Sequence, residues 1–173
     1  NDGELAELSE GSLSALDQVL PRHWSHGNPI DIIGDAGPDR YAEAARIALS
    51  DSNTDGLLVI LTPQDMTHPT RTAEQLVDVA GDTSKPVLAC WMGGKVSSVG
   101  ADLLARNGVP NYAFPERAVD ALGAMSQYYR FQQRPPADVE TFAVDKARVE
   151  ALFRKVRADG RNSIGDTEAQ DIL

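Results

Sequence analysis

The run Gly56-Leu57-Leu58-Val59-Ile60-Leu61 restricts this chain's fold more than any other stretch. It is apolar without interruption, so neither face of the segment can be left to water. A strand of that kind belongs in a parallel sheet covered by helices on both sides, not in a half-wet antiparallel one. A second such run, Pro86-Val87-Leu88-Ala89-Cys90-Trp91, follows. Between the two, Pro69 opens a helix that holds Ala73, Leu76, Val77 and Ala80 and closes near Gly81. Strand, helix and strand in that order predict a doubly wound parallel α/β sheet, whose ligands gather at the carboxyl ends of the strands.

The flanking sequence continues the alternation. Leu5 to Leu8 reads as a short strand. Ser9 or Ser12 caps a helix with Leu13, Leu16, Val19 and Leu20 on one face, stopped at Pro21. Gly27-Asn28-Pro29-Ile30-Asp31-Ile32-Ile33-Gly34-Asp35 is a short extended apolar strand between turn residues. Pro38 then begins a helix running to about Ser50, with Tyr41, Ala45, Ile47 and Leu49 as its apolar surface. After the second apolar run, Gly93-Gly94 lead into a helix carrying Val99, Leu103 and Leu104, with Gly108 as its stop. Asn111 to Phe114 reads as a final strand, and Pro115 starts a helix reaching the Tyr128-Tyr129 pair. Gln133-Arg134-Pro135-Pro136 breaks the pattern, which divides the chain into a domain over 1–134 and an extension over 135–173. In the extension, Val139, Phe142, Val149, Leu152, Phe153 and Val156 predict an amphipathic helix ended by Asp159-Gly160. A linker and the start of another helix, with Asp166 as its cap, complete the chain.

Charge bounds the partners such a domain can serve. Sixteen Lys and Arg stand against 26 Asp and Glu, a formal net charge of −10. That balance argues against a nucleic-acid or anionic-membrane surface, since both call for clustered basic residues. No apolar run is long enough to span a bilayer and no signal-peptide pattern is present, so a cytoplasmic protein, or a piece of one, is expected. The single cysteine, Cys90, excludes an intrachain disulfide framework and reads as a packing residue inside its strand.

Three strand ends carry unusual residues. Asn28-Pro29-Ile30-Asp31 through Gly34-Asp35-Ala36 gathers glycine, proline and two carboxylates, which is also ordinary turn chemistry. Thr62-Pro63-Gln64-Asp65 follows the most apolar strand directly and doubles as a capping loop before Pro69. Trp91-Met92-Gly93-Gly94-Lys95 places glycines where a strand turns into a helix, and bare amides there can hold an anion. It is not a P-loop, because position 89 is alanine and position 96 is valine. His23 and His26 flank Trp24 without a third ligand nearby, and His68 precedes a helix as a loop or cap residue. Spacing assembles no Ser–His–Asp or Cys–His set. On residues alone the chain is an α/β binding module with an anion-friendly edge.

The ordered set Gly27-Asn28-Pro29-Ile30-Asp31, Gly34-Asp35-Ala36, Val59-Ile60-Leu61-Thr62-Pro63, Lys85-Pro86-Val87-Leu88-Ala89, Trp91-Met92-Gly93-Gly94, Gly108-Val109-Pro110 and Phe114-Pro115-Glu116-Arg117-Ala118 resembles a known family. Over residues 5–132 it is similar to the flavodoxin-like ligase domain of ADP-forming acyl-CoA (acetyl-CoA) synthetases, relatives of succinyl-CoA synthetase. Residues 148–173 resemble the linker toward that family's ATP-grasp domain. The resemblance implies a Rossmann-like, three-layer αβα domain of an enzyme that converts acyl-CoA, phosphate and ADP into acid, CoA and ATP. Its phosphoryl group passes through an acyl phosphate and a phosphohistidine held by a sister CoA-binding domain, so no histidine here inherits that role.

The chain alone is expected to bind no cofactor, with CoA, ADP or ATP, and Mg used by the parent. Its expected partners are the sister domain and the ATP-grasp domain, with self-association left open. Carried over by position, the resemblance places Asn28, Asp31, Gly34, Asp35, Thr62, Pro63, Gln64 and Asp65 along the acyl or phosphate crevice, with Gly93 and Gly94 beside them. In succinyl-CoA synthetase the loop corresponding to 63–66 is glycine-rich and touches substrate, whereas Pro63-Gln64-Asp65-Met66 stands here, and Asp65 repels phosphate. The family's first strand and its Asn-x-Gly-Gly-Pro-Gly turn have no counterpart in this sequence. That strand would lie between the ones at Leu5–Leu8 and Leu57–Leu61, so the first βα unit is expected upstream in the parent or replaced by a neighbouring chain. Two other readings stand beside the ligase. The same module serves as the regulatory region of bacterial protein lysine acetyltransferases, and a free-standing receiver-like module is the third.

Overall fold

A computed structural model describes residues 3–136, 140 and 143–172. Contacts divide the chain into two compact units, Asn1–Arg134 and Pro135–Leu173. The first unit runs α1 (Glu10–Val19), α2 (Pro38–Ser50), β1 (Leu57–Leu61), α3 (Pro69–Gly81), β2 (Val87–Trp91), α4 (Ser98–Arg106) and α5 (Pro115–Gln132).

β1 and β2 pair in parallel, with Leu57 opposite Val87 and Leu61 opposite Trp91. Alternate side chains therefore leave the sheet on opposite faces. On one face Val59, Leu61, Val87, Ala89 and Trp91 pack with Ala42, Ala45 and Leu49 of α2, Leu76 and Val79 of α3, and Leu104 of α4. On the other face Leu88 and Cys90 are buried, as is Ala118 of α5. Gly56 lies on this face too, and a Cβ added there would be 3.7 Å from Leu122 of α5. Helices thus cover both faces of β2, which is why it is apolar at every position. The fold is α/β and Rossmann-like.

β1 is covered less completely. Leu57 N donates to Pro86 O and Leu61 O accepts from Met92 N, so the peptides at Leu58 and Ile60 face away from β2. Among the described residues no strand pairs with that edge. Ile60, on the α5 face, is 43% exposed, although its neighbour Leu61 is fully buried.

Local signals place the helices. Pro38, Pro69 and Pro115 each occupy the first turn, where a missing N–H costs nothing. The Ser9 hydroxyl accepts from Ser12 N (3.3 Å) and caps α1. Ser9 also donates its N–H (2.8 Å) and hydroxyl (3.0 Å) to Asp51 Oδ2, tying the start of α1 to the end of α2. The Ser12 hydroxyl, the Asn53 amide and Ser9 together hold the Asp51 carboxyl far below its usual range. Lys85 Nζ donates to Leu49 O and Asp51 O (both 2.7 Å), satisfying carbonyls at the C-terminus of α2. A second core of Leu16, Leu20, Trp24 and Ala44 joins α1 to α2.

Of three expected strands, two do not form and one is reduced to a bridge. Residues 5–8 form no ladder; their carbonyls are taken by side chains, Ala6 O by Asn28 Nδ2 (3.0 Å) and Glu7 O by Asn53 Nδ2 (2.9 Å). The 28–35 piece is a coiled loop, not a strand, because Ile33 takes a positive φ of 69° and turns the chain. The expected strand at 111–114 shrinks to one parallel bridge, Ala89 with Asn111. α5 runs past Tyr129 to Gln132.

The second unit holds α6 (Lys146–Ala158) and α7 (Asp166–Gln170). Asp145 caps α6 by accepting from Arg148 N (3.0 Å). Gly165, not Asp166, occupies the cap position of α7, and Asp166 is its first residue. Arg161 grips Glu168 through two bonds (2.9 and 2.6 Å), and Glu168 Oε2 accepts from Gly165 N (2.8 Å). Those contacts, the Arg161 bond foremost, hold the Glu168 carboxyl down to about 2. Of the apolar positions expected on the first helix, Val139 and Phe142 lie outside the described residues.

Candidate functional site

Three loops follow the carboxyl side of the sheet or adjoin it: 25–37 before α2, 62–68 after β1, and 92–97 after β2. They meet in a row. A Cβ added at Gly34 would lie 4.0 Å from the Gln64 side chain, so the first loop rests on the second. A Cβ at Gly93 would overlap the Pro63 ring and come within 3.1 Å of Ser97 Oγ, so the second rests on the third. Gly93, at φ +102°, is also in the backbone region that favours glycine.

The first loop spends most of its polar atoms on itself. The Ser25 hydroxyl donates to Pro29 O (2.6 Å) and accepts from Asp31 N (2.9 Å). Asp31 Oδ1 accepts from Ile33 N (2.9 Å) in an Asx turn. Asp35 pairs with Arg40, which also donates to Ile32 O (3.1 Å). Asn28 turns its carboxamide to Ala6 O. Of the four candidates in this loop, Asn28, Asp31 and Asp35 therefore shape it, and Gly34 makes its contact with the neighbouring loop. Burial, and then the Asp31 charge, push the Tyr41 hydroxyl up from its usual value.

The second loop is closed by Thr67. Its hydroxyl accepts from Gln64 N and donates to Gln64 O, both at 2.6 Å, and Thr67 N adds a bond to the same carbonyl (3.0 Å). The Gln64 amide is thereby committed, which removes one backbone donor an anion would need. Thr62, Gln64 and Asp65 are exposed at this loop, and Pro63 is half-buried against Gly93. His68 stands at the cap position of α3 with no side-chain cap bond.

In the third loop, Gly93 and Gly94 (φ +58°) lead through a 3-10 turn, Gly94–Val96, into α4. Asn111 Oδ1 accepts from Trp91 N (2.9 Å) and pins the end of β2. Trp91 Nε1 donates to Pro69 O (3.1 Å). Ser97 is 1% exposed, and its hydroxyl has no hydrogen-bond partner among the described residues.

The three loops and the helix starts beside them carry Asp31, Asp35 and Asp65 and the basic Arg40 and Lys95, and Asp35 is paired with Arg40. Asp65, exposed beside Gln64, disfavours a bare phosphate at the second loop. Among the described residues, no group of three or more His, Cys, Asp or Glu side chains converges to hold a metal ion. Nor is any helix among them long and apolar enough to cross a membrane. Sequence reasoning overlooked Ser25, Arg40 and Thr67, which set the loop shapes. The available signal was a hydroxyl within two to four residues of a turn, the spacing of local side-chain-to-backbone bonds.

The chain is similar to known proteins. The Ligase-CoA domain family matches residues 3–136. The alpha subunit of ADP-forming acetate–CoA ligase II from Pyrococcus furiosus is 36% identical, over 72% of this chain and 28% of its own length. The ADP-forming 4-hydroxybutyrate–CoA ligase of Nitrosopumilus maritimus is 28% identical, over 91% of this chain and 23% of its own. The apo structure of acetyl-coenzyme A synthetase 1 from Candidatus Korarchaeum cryptofilum superposes with a TM-score of 0.68 at 30% identity, over 72% of this chain and 28% of that one. The chain thus spans about a quarter of the length of these relatives. By the extent of the family match and the superposition together, this chain belongs to the Ligase-CoA domain family.

Proposed function

We propose that this chain is a non-catalytic wall of the acyl crevice in an ADP-forming acyl-CoA ligase, and that the reacting groups come from other domains of the same enzyme. The observation that carries this reading is the row of contacting strand-end loops, Gly34 against Gln64 and Pro63 against Gly93, in a member of this family. The relatives' names supply the chemistry: acid, CoA and ADP-forming turnover. CoA, ADP and Mg then belong to the whole enzyme, and the sister CoA-binding and ATP-grasp domains are this chain's partners.

Within the wall, the Gln64 carboxamide is the group best suited to substrate. It is neutral, it both donates and accepts, and its backbone is fixed by Thr67. Asp65 beside it disfavours phosphate, so this wall serves the acyl end and the phosphate is held mainly by the facing domain. Another part of the enzyme covers the free edge of β1 and the exposed Ile60 beside it.

Steady-state kinetics of acyl-CoA-dependent ATP formation test the reading. The isolated 173-residue chain is expected to show none, and turnover by it would overturn the proposal. In the whole enzyme, Gln64→Ala is expected to lower kcat/KM about three- to tenfold, the worth of one hydrogen bond to substrate. An unchanged kcat/KM for every acyl substrate would remove Gln64 from the crevice.

A further inference from the structure

We propose that His26 is a protonation-dependent latch that holds the 26–33 loop to the end of α1. The imidazole stands between two groups that can only accept. Nδ1 is 2.9 Å from Asp17 Oδ1 on α1, and Nε2 is 3.1 Å from the Arg22 carbonyl. A neutral imidazole carries one N–H, so it can satisfy one of these acceptors and must turn a lone pair toward the other. Only the imidazolium donates to both.

The surroundings make that difference matter to the loop. His26 has a φ of +52°, an uncommon left-handed conformation for a residue with a side chain, and one at which the chain turns. Trp24 Nε1 donates to the same Asp17 Oδ1 (2.8 Å), and the Trp24 and His26 rings lie 4.9 Å apart. Trp24 is 2% exposed within the second core, so Asp17 is a fixed post and His26 is the movable side. Immediately after His26, Gly27 O and Pro29 O face the Ser25 hydroxyl, which also takes the Asp31 amide. Movement of His26 is therefore passed directly to Asp31 and Ile33.

The charged groups around the ring come from three segments. Asp17 faces it from α1, and Arg22 and His23 belong to the turn between. Glu7, on the N-terminal segment, lines a groove of about 350 Å³ together with His26, Gly27 and Asn28. Asp17 and Glu7 are acidic, and Arg22 and His23 are the basic residues among them. When the ring gives up its second proton, one of the two hydrogen bonds is lost and the loop loosens. The half-exposed ring bounds the effect, since exposed ion pairs contribute little.

Nitrogen-15 NMR of the 173-residue chain tests this directly. The ring nitrogens of His26 are followed with pH alongside the backbone amides of Gly27, Asp31 and Ile33. These amides are expected to move with the same midpoint as the ring, and their hydrogen-exchange protection to fall about two- to fivefold above it. In His26→Gln the movement should vanish while the rest of the spectrum is retained. Asp17→Asn keeps an acceptor for Trp24 and should shrink the amide movement without abolishing it. Amides that titrate equally in His26→Gln, or a ring that titrates while they stay still, overturn the latch. None of these outcomes bears on the ligase reading, which is tested by turnover.

Discussion

At single positions, backbone geometry and buried charge decide what can be changed. Gly93 has a positive φ, and a methyl group there meets Pro63 and Ser97. Gly93→Ala is expected to cost about 1–3 kcal/mol in urea denaturation, from overpacking and left-handed strain together. Gly94 shares the positive φ but has open space around it, so Gly94→Ala should cost only about 1–2 kcal/mol. A smaller loss at position 93 than at position 94 would show that the two loops are not in contact. Asp51 gives a pH signature. Its carboxyl is held below the ordinary 3.8 in the folded protein, so its contribution is fully present above that value and is lost as pH falls below it. Asp51→Asn is expected to flatten the decline of stability between about pH 4 and pH 2 in acid titration followed by circular dichroism. An unchanged acid limb would mean that Ser9, Ser12 and Asn53 do not hold the carboxylate.

Elements show the same contrast between neighbours. Leu61 is fully buried and Ile60 is 43% exposed within one strand. Leu61→Ala is expected to cost about 2–5 kcal/mol, whereas Ile60→Thr should cost less than about 1 kcal/mol in this chain, both by equilibrium unfolding. Equal losses would mean that the far side of β1 is packed. The uninterrupted apolar runs announced both strands, and residues 87–91 have the two covered faces such a run implies, whereas residues 57–61 leave Ile60 open; the helices that begin at first-turn prolines were equally legible. What could not be read was pairing. Residues 5–8 and 111–114 have strand-like composition, but a ladder needs a partner at the right edge: Asn28 and Asn53 take carbonyls of the first segment, and the Asn111 side chain takes the Trp91 N–H that a strand beside β2 would have paired. The site was legible as three loops and not as three sets of reactive groups. Their mutual contacts rest on glycines at 34 and 93, whose neighbours lie about 30 positions away, while Ser25 and Thr67 consume donors that sequence had left free.

For the molecule as a whole, the division at Arg134 matters because each unit has its own internal contacts. Residues 1–134 alone are expected to unfold cooperatively with a midpoint within about 5 °C of the full chain; a non-cooperative melt would show that the extension completes the first unit. In the extension, Glu168→Gln removes the carboxylate that Arg161 grips, and should lower amide protection across α7 near neutral pH. Below about pH 4 the same protection should fade in the unsubstituted chain as Glu168 takes up its proton, and a pH-independent α7 would contradict that. The two tryptophans carry one more consequence. Trp24 is buried in the α1–α2 core and Trp91 in the core beneath the sheet, so the protein contains one optical probe for each. With Trp91→Phe, emission reports on α1 and α2 alone, and the nearby His26 ring makes it a colourless indicator of that imidazole's protonation. With Trp24→Phe, emission reports on the sheet and should be indifferent to it. Two single-tryptophan proteins would therefore let the two cores be watched separately, in an ordinary fluorimeter and without any added label.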